Sequence, residues 1–206
     1  MIIGAAPIAG KQVFAEFPPE NYYVICADAG YETAAKLGVV PDLIVGDFDS
    51  ASGLPPKGKK VLKLPVEKDV TDTMYAAMKG LTKGFRSFVL LGCLGGARFD
   101  HTVANLEVLQ FLLSHGARGL LADEHTKVFL IRESRLRLTE MAGATVSVFP
   151  YGEPTCTVTY EGLQYPLSHR KLTSGGILMG VSNSVVAPSA EIIVHEGTAL
   201  VVVYQQ

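Results

Sequence analysis

Cysteine is scarce in this chain, and the three present, Cys26, Cys93 and Cys156, lie far apart. Their odd number and wide spacing fit neither a disulfide framework nor a zinc site, so they read as small core residues of a reducing compartment. Basic charge is not in excess either. The 18 Lys and Arg are outnumbered by 20 Asp and Glu, giving a formal net charge of −2, which excludes the broad basic face of a nucleic-acid binder. Long apolar runs are also missing. No stretch approaches the roughly 18 residues of a membrane span, and Met1-Ile2-Ile3-Gly4-Ala5-Ala6-Pro7 carries no basic segment. These absences point to a cytoplasmic protein with no membrane or nucleic-acid partner. Charged side chains are 18% of the 206 residues, below the usual share of about a quarter, while 48% are hydrophobic. A sizeable core can form, and part of the surface is expected to be covered, as by a second subunit.

What is present falls into two textures. Up to about residue 125, short apolar runs alternate with helical patterns. Tyr22 to Ala27, Asp42 to Gly46 and Phe88 to Leu91 read as strands, with Ile2-Ile3 and Leu120-Leu121 as shorter ones. Tyr31 to Leu37, Thr71 to Leu81 and Thr102 to Ser114 read as helices. Thr71 or Asp69 is a plausible N-cap for the second. The third shows Val103, Leu106, Leu109 and Leu113 as one apolar face. This alternation predicts an α/β domain with a Rossmann-like parallel sheet over residues 1–125, whose ligands bind beyond the carboxyl ends of the strands. From 126 to 206 the helical pattern vanishes. Short β-rich runs separated by Gly and Pro turns predict a small all-β domain, a sandwich or partial barrel.

The acidic residues cluster where strands end. Gly46-Asp47-Phe48-Asp49-Ser50 follows a strand, and in extended chain Asp47 and Asp49 would share one side. Asp69 and Asp72 stand three apart at a helix start. Carboxylate oxygens of this kind suit Mg²⁺, so Asp47, Asp49 and Asp72 are the expected metal ligands. Close carboxylates repel, by roughly 4 kcal/mol at 4 Å and an effective dielectric of 20, and would gather protons or cations. A third cluster, Gly92-Cys93-Leu94-Gly95-Gly96-Ala97-Arg98-Phe99-Asp100-His101, links a strand to a helix. Its glycines and helix N-terminus favour a phosphate, and Arg98 can add a charged fork. Taken alone, His101 reads as a helix-start residue bonded to backbone. No G-x-S-x-G occurs, so a serine-nucleophile elbow is excluded.

These clusters, in this order, resemble the thiamine pyrophosphokinase family. The matching text is Ala27-Asp28-Ala29-Gly30, then Pro41-Asp42-Leu43-Ile44-Val45-Gly46-Asp47-Phe48-Asp49-Ser50, Lys68-Asp69-Val70-Thr71-Asp72-Thr73 and Arg98 to Leu106. Gly162 to Leu167 and Gly180-Val181-Ser182-Asn183 continue it. The resemblance implies a nucleotide-binding catalytic domain, a β-sandwich that binds thiamine and dimerises, and transfer of pyrophosphate from Mg-ATP to the thiamine hydroxyl. Asp47, Asp49, Asp72 and Asp100 would act in catalysis. Asp28, Lys68, Asp69, Thr71, Arg98, His101 and Asn105 would line the ATP and phosphates. Ser182 and Asn183 would meet thiamine at the interface of a homodimer. Where the family carries a polar residue and then an aromatic, this chain has Ser184-Val185, so the ring contact is expected to weaken or pass to another residue. A pyrophosphokinase for another alcohol such as a pterin, and a non-catalytic thiamine diphosphate or nucleotide sensor, are the alternatives.

Overall fold

The computed structural model describes residues 1–48, 58, 60–67, 69–178 and 180–205. They form two compact units, Met1–Glu124 and His125–Gln206.

In the first unit the strands are β1 (Ile2–Ile3), β2 (Ile25–Ala27), β3 (Leu43–Gly46), β4 (Val61–Lys63), β5 (Ser87–Leu91) and β6 (Arg118–Ala122). They pair in parallel in the order β6-β5-β1-β2-β3-β4. The inner strands are apolar on both faces, as a covered parallel sheet requires, and Ile2, Ile3, Ile44 and Leu90 are fully buried. The chain runs outward from β1 to β4, then restarts at β5 on the other side of β1. That reversal opens a crevice beyond the carboxyl ends of the strands.

The helices are α1 (Val13–Glu16), α2 (Gly30–Leu37), α3 (Asp72–Thr82) and α4 (Phe99–Ser114). α2 stops at Gly38, whose φ of 77° is the left-handed cap that glycine supplies without strain. α3 is capped by Thr71, whose hydroxyl accepts from the Met74 N–H at 3.2 Å. α4 departs from expectation twice. It begins at Phe99 rather than near Thr102, with no side-chain cap at Arg98. Its buried stripe is Asn105, Val108, Leu109 and Leu112, while Val103 is 44% exposed. The helix is apolar nearly all round, so periodicity alone selects no face.

The second unit holds β7 (Thr126–Arg132), β8 (Arg135–Thr139), β9 (Thr145–Pro150), β10 (Thr155–Glu161), β11 (Leu167–Thr173), β12 (Gly180–Ser184), β13 (Ser189–Glu196) and β14 (Thr198–Tyr204). Two antiparallel sheets form, β12-β9-β14-β7 and β11-β10-β13-β8. Alternate residues point inward. Val146, Val148, Val201 and Val203 of one sheet share a core with Val158, Leu172, Ile192 and Val194 of the other. Each such side chain is worth roughly 1.5–3 kcal/mol of burial, which holds the sandwich together without a helix.

Candidate active site

Three strand or helix ends meet at the carboxyl edge of the parallel sheet. Asp28 follows β2, Asp47 follows β3 and Asp72 opens α3. One carboxylate oxygen from each lies within 4.8 Å of the others, and all three residues are half-buried.

Local backbone geometry produces this convergence. Asp28 has a φ of 48°, a left-handed conformation that Asp tolerates better than most residues. Its N–H donates to the Val45 carbonyl at 2.8 Å, which ties the end of β2 to β3. Gly46 makes room for it. A Cβ there would stand 2.9 Å from the Asp28 Cα and 3.2 Å from its nitrogen. Phe48 is also left-handed, at 64°, and its ring meets Tyr31 edge-on at 6.1 Å. The extended-chain reason for pairing Asp47 with the next aspartate therefore does not hold across Phe48. Asp49, Ser50 and Lys68 lie outside the described residues. Asp69 is exposed and stands outside the group.

Two carboxylates 4.8 Å apart repel by roughly 3 kcal/mol at an effective dielectric of 20, so three in one place favour a shared cation. The oxygen-only donor set fits a hard divalent ion such as Mg²⁺. Asp28, read from the sequence as lining the phosphates, is thus a member of the carboxylate group. The signal was available, since its strand ends at an aspartate just as β3 does.

The glycine-rich turn after β5 lies along the same edge. Gly92, Gly95 and Gly96 all have positive φ, at 61°, 64° and 82°. A Cβ on Gly92 would stand 2.7 Å from the Gly4 carbonyl, so this close approach of the β1 and β5 exits needs glycine. α4 braces the turn. Asn105 is buried and its amide donates to the Cys93 carbonyl at 2.8 Å, while the Thr102 hydroxyl reaches the Gly95 carbonyl at 3.3 Å. Asn105 thus serves the turn through its amide rather than presenting it to solvent. Cys93 is buried, which pushes its thiol up to about 12 and leaves it unreactive.

Arg98, Asp100 and His101 sit at the exposed start of α4. Arg98 grips Asp100 through Nε at 2.9 Å and a second nitrogen at 2.6 Å. Their side chains are 68% and 63% exposed. The Arg98 fork holds the Asp100 carboxyl down at about 2. In this arrangement Asp100 stays ionised and belongs to the arginine, which makes it a poor proton acceptor near neutral pH.

In the second unit, Ser182 is exposed, with a φ of 58° and its N–H donating to Ser147 Oγ at 3.1 Å. Asn183, expected beside Ser182 as a ligand contact, is a buried residue. It is 7% exposed, and its amide is bonded to main chain: Oδ1 accepts from Tyr165 and Ser184, and Nδ2 donates to the Tyr165 carbonyl. Val185 is a core residue, 2% exposed.

Known proteins place this arrangement. Residues 14–118 match the family profile "Thiamin pyrophosphokinase, catalytic domain", and residues 133–198 match "Thiamin pyrophosphokinase, vitamin B1 binding domain". Thiamine pyrophosphokinase 3 of Oryza sativa subsp. japonica is 27% identical over 177 residues, covering 78% of this chain and 64% of its own length. The chain thus spans a little under two thirds of that relative. Thiamine pyrophosphokinase of Bacillus subtilis is 27% identical over 179 residues, covering 82% of this chain and 81% of its own. The crystal structure of thiamine pyrophosphokinase from Bacillus subtilis superposes with a TM-score of 0.85 at 21% identity, over 100% of this chain and 98% of that one, which shows the shared fold. With one profile on the unit that carries the carboxylates and the other on the sandwich, the chain belongs to the thiamin pyrophosphokinase family.

Proposed function

We propose that this chain transfers the pyrophosphoryl group of Mg-ATP to the hydroxyl of thiamine, giving thiamine diphosphate and AMP. The observation that carries the reading is the convergence of Asp28, Asp47 and Asp72 within 4.8 Å, in a chain of this family. Residues 1–125 serve as the nucleotide-binding catalytic part and 126–206 as the thiamine-binding and dimerising part. A homodimer in the cytoplasm, with thiamine at the subunit interface, is the working form.

Asp28, Asp47 and Asp72 would hold the metal, joined by Asp49. When bound, Mg²⁺ neutralises charge on the phosphate oxygens as the transfer proceeds. The turn 92–96 offers main-chain N–H groups and the adjoining N-terminus of α4 to the phosphates. Arg98 is the nearby cation that can turn from Asp100 to a phosphate, and Lys68, Asp69, Thr71 and His101 complete that side. Asn105 keeps the turn in shape. The thiamine oxygen attacks the β-phosphorus, the bond to the AMP oxygen breaks, and the hydroxyl proton passes to a carboxylate. Asp100 is poorly suited to that last role while Arg98 holds its carboxyl near 2, so the proton passes to a carboxylate oxygen that no cation occupies. Ser182 supplies a hydroxyl toward thiamine, and Asn183 supports the surface beside it.

A coupled AMP-release assay tests the reading. AMP is expected only when ATP, Mg²⁺ and thiamine are all present. AMP release that ignores thiamine, or none with it, would reject the function.

A further inference from the structure

Two aromatic rings join the corners that carry Asp28 and Asp47. The sheet's own hydrogen bonds hold these corners as far as Asp28, whose N–H donates to the Val45 carbonyl, and Gly46, whose carbonyl accepts from the Leu64 N–H at 2.9 Å. β3 ends at Gly46, so the turn bearing Asp47 has left the strand. One Asp47 oxygen nevertheless lies within 4.8 Å of one oxygen each from Asp28 and Asp72. The next residue is Phe48, at a φ of 64°. A bulky side chain takes up that conformation at a cost that the surrounding structure has to offset.

The placement of the Phe48 ring supplies the offset. It folds back over Gly46, where an added Cβ would meet Phe48 Cε1 at 3.3 Å as well as the Asp28 main chain. There it packs on the core of the unit and meets the Tyr31 ring edge-on, with centroids 6.1 Å apart and planes at 73°. That is a favourable arrangement for an aromatic pair. Tyr31 is the anchored member. It is 6% exposed and shares its core with Ile3, Cys26 and Ile44. It is the second residue of α2, three beyond Asp28, and Gly30 before it lets the helix press on β1, since a Cβ at Gly30 would collide with the Ile3 carbonyl. The Tyr31 hydroxyl donates to Glu32 Oε1 at 3.4 Å, so the ring itself is what reaches Phe48.

We infer that Tyr31 is a positioning residue for the cation site: through Phe48, its ring holds the left-handed turn that brings the Asp47 carboxylate to Asp28 and Asp72. The carriers of two of the three carboxylates are thus cross-braced by side chains where the ladder between their strands has ended. Ligands held in place before the ion arrives bind it more tightly than ligands that must be ordered by it. The inference rests on the shared-cation reading above and adds how this chain aligns one of the ligands.

Titration of Mn²⁺ into the full chain without nucleotide, read by electron paramagnetic resonance, tests it. Tyr31→Leu keeps apolar bulk in the core but loses the ring, and should weaken Mn²⁺ about threefold to tenfold. Tyr31→Phe should keep the parent's affinity. Phe48→Gly, at a half-buried position, allows the left-handed backbone without strain yet removes the ring, and should weaken Mn²⁺ as Tyr31→Leu does. In an Asp47→Asn background, Tyr31→Leu should lower the affinity no further, a result that general loosening of the fold would not give. Parent affinity in both Tyr31→Leu and Phe48→Gly would overturn the inference. So would a Tyr31→Leu loss that is undiminished in Asp47→Asn, or a parent that takes up no Mn²⁺. A parent that binds Mn²⁺ but releases no AMP with thiamine would reject the transferase reading instead, and the Mn²⁺ series would still report on the brace.

Discussion

The two units organise their polar chemistry by different means. In the first, three carboxylates are brought together by where elements end: two parallel strands and one helix deliver Asp28, Asp47 and Asp72 to one edge. In the second, the corresponding surface depends on one buried side chain, Asn183, whose amide fixes the backbone of an exposed tyrosine. The first kind of site is carried by the sheet and depends on several elements at once. The second can be dismantled at a single position. The contrast also separates two acidic groups within the first unit. The carboxylates of the trio are half-buried and mutually repelling, whereas Asp100 is exposed and neutralised by Arg98.

Substitutions can break or sharpen these contrasts. The largest effect is expected at the trio. Asp72→Asn should lower thiamine-dependent AMP release by about 10²–10³-fold, with the melting temperature unchanged or raised as repulsion is relieved. Next comes Gly46→Ala, whose methyl would press on the Asp28 main chain at 2.9 Å. It should weaken divalent-cation binding in titration calorimetry and cost about 1–3 kcal/mol in denaturant unfolding. In the second unit, Asn183→Ala removes the bonds to both polar groups of Tyr165, and should cost about 1–3 kcal/mol and raise KM for thiamine but not for ATP. The smallest effect concerns Arg98. Asp100 falls from an ordinary 3.8 to about 2 because of the Arg98 fork. The pair therefore stabilises the fold above pH 3.8, and this is lost as pH falls toward 2. Arg98→Ala should return the Asp100 carboxyl to near its ordinary range by NMR titration, with only a small loss of stability that is the same across pH 5 to 8, because the pair is exposed.

Much of the first unit was legible because its signals are local. Asp42 to Gly46 and Phe88 to Leu91 are apolar runs of strand length that end in polar residues, and the Thr71 hydroxyl was a recognisable cap. Some strands carry little local pattern. β4, β8 and β11 present exposed or charged residues at most positions, and only Leu138 and Leu172 of β8 and β11 are fully buried, with Leu136 and Leu167 packed beside them. They are strands because neighbours pair with them, which no local pattern records. The early start of α4 lacked a capping side chain, and its buried face was hidden by apolar residues on every side. At the site, the acidic motif was visible, but the left-handed turn at Phe48 and the space left by Gly46 were not. Asn183 stood out as a motif residue, yet nothing in sequence told whether its amide faced a ligand or the backbone of Tyr165.

The central claim is that Asp28, Asp47 and Asp72 serve one cation. Titrating Mn²⁺ into the parent, the three single Asn variants and the Asp28→Asn/Asp72→Asn double variant, with bound metal read by electron paramagnetic resonance, tests it. One site should weaken in every single variant, and the second substitution should add much less than the first. Independent losses that simply add, or a metal affinity untouched by all three, would contradict it.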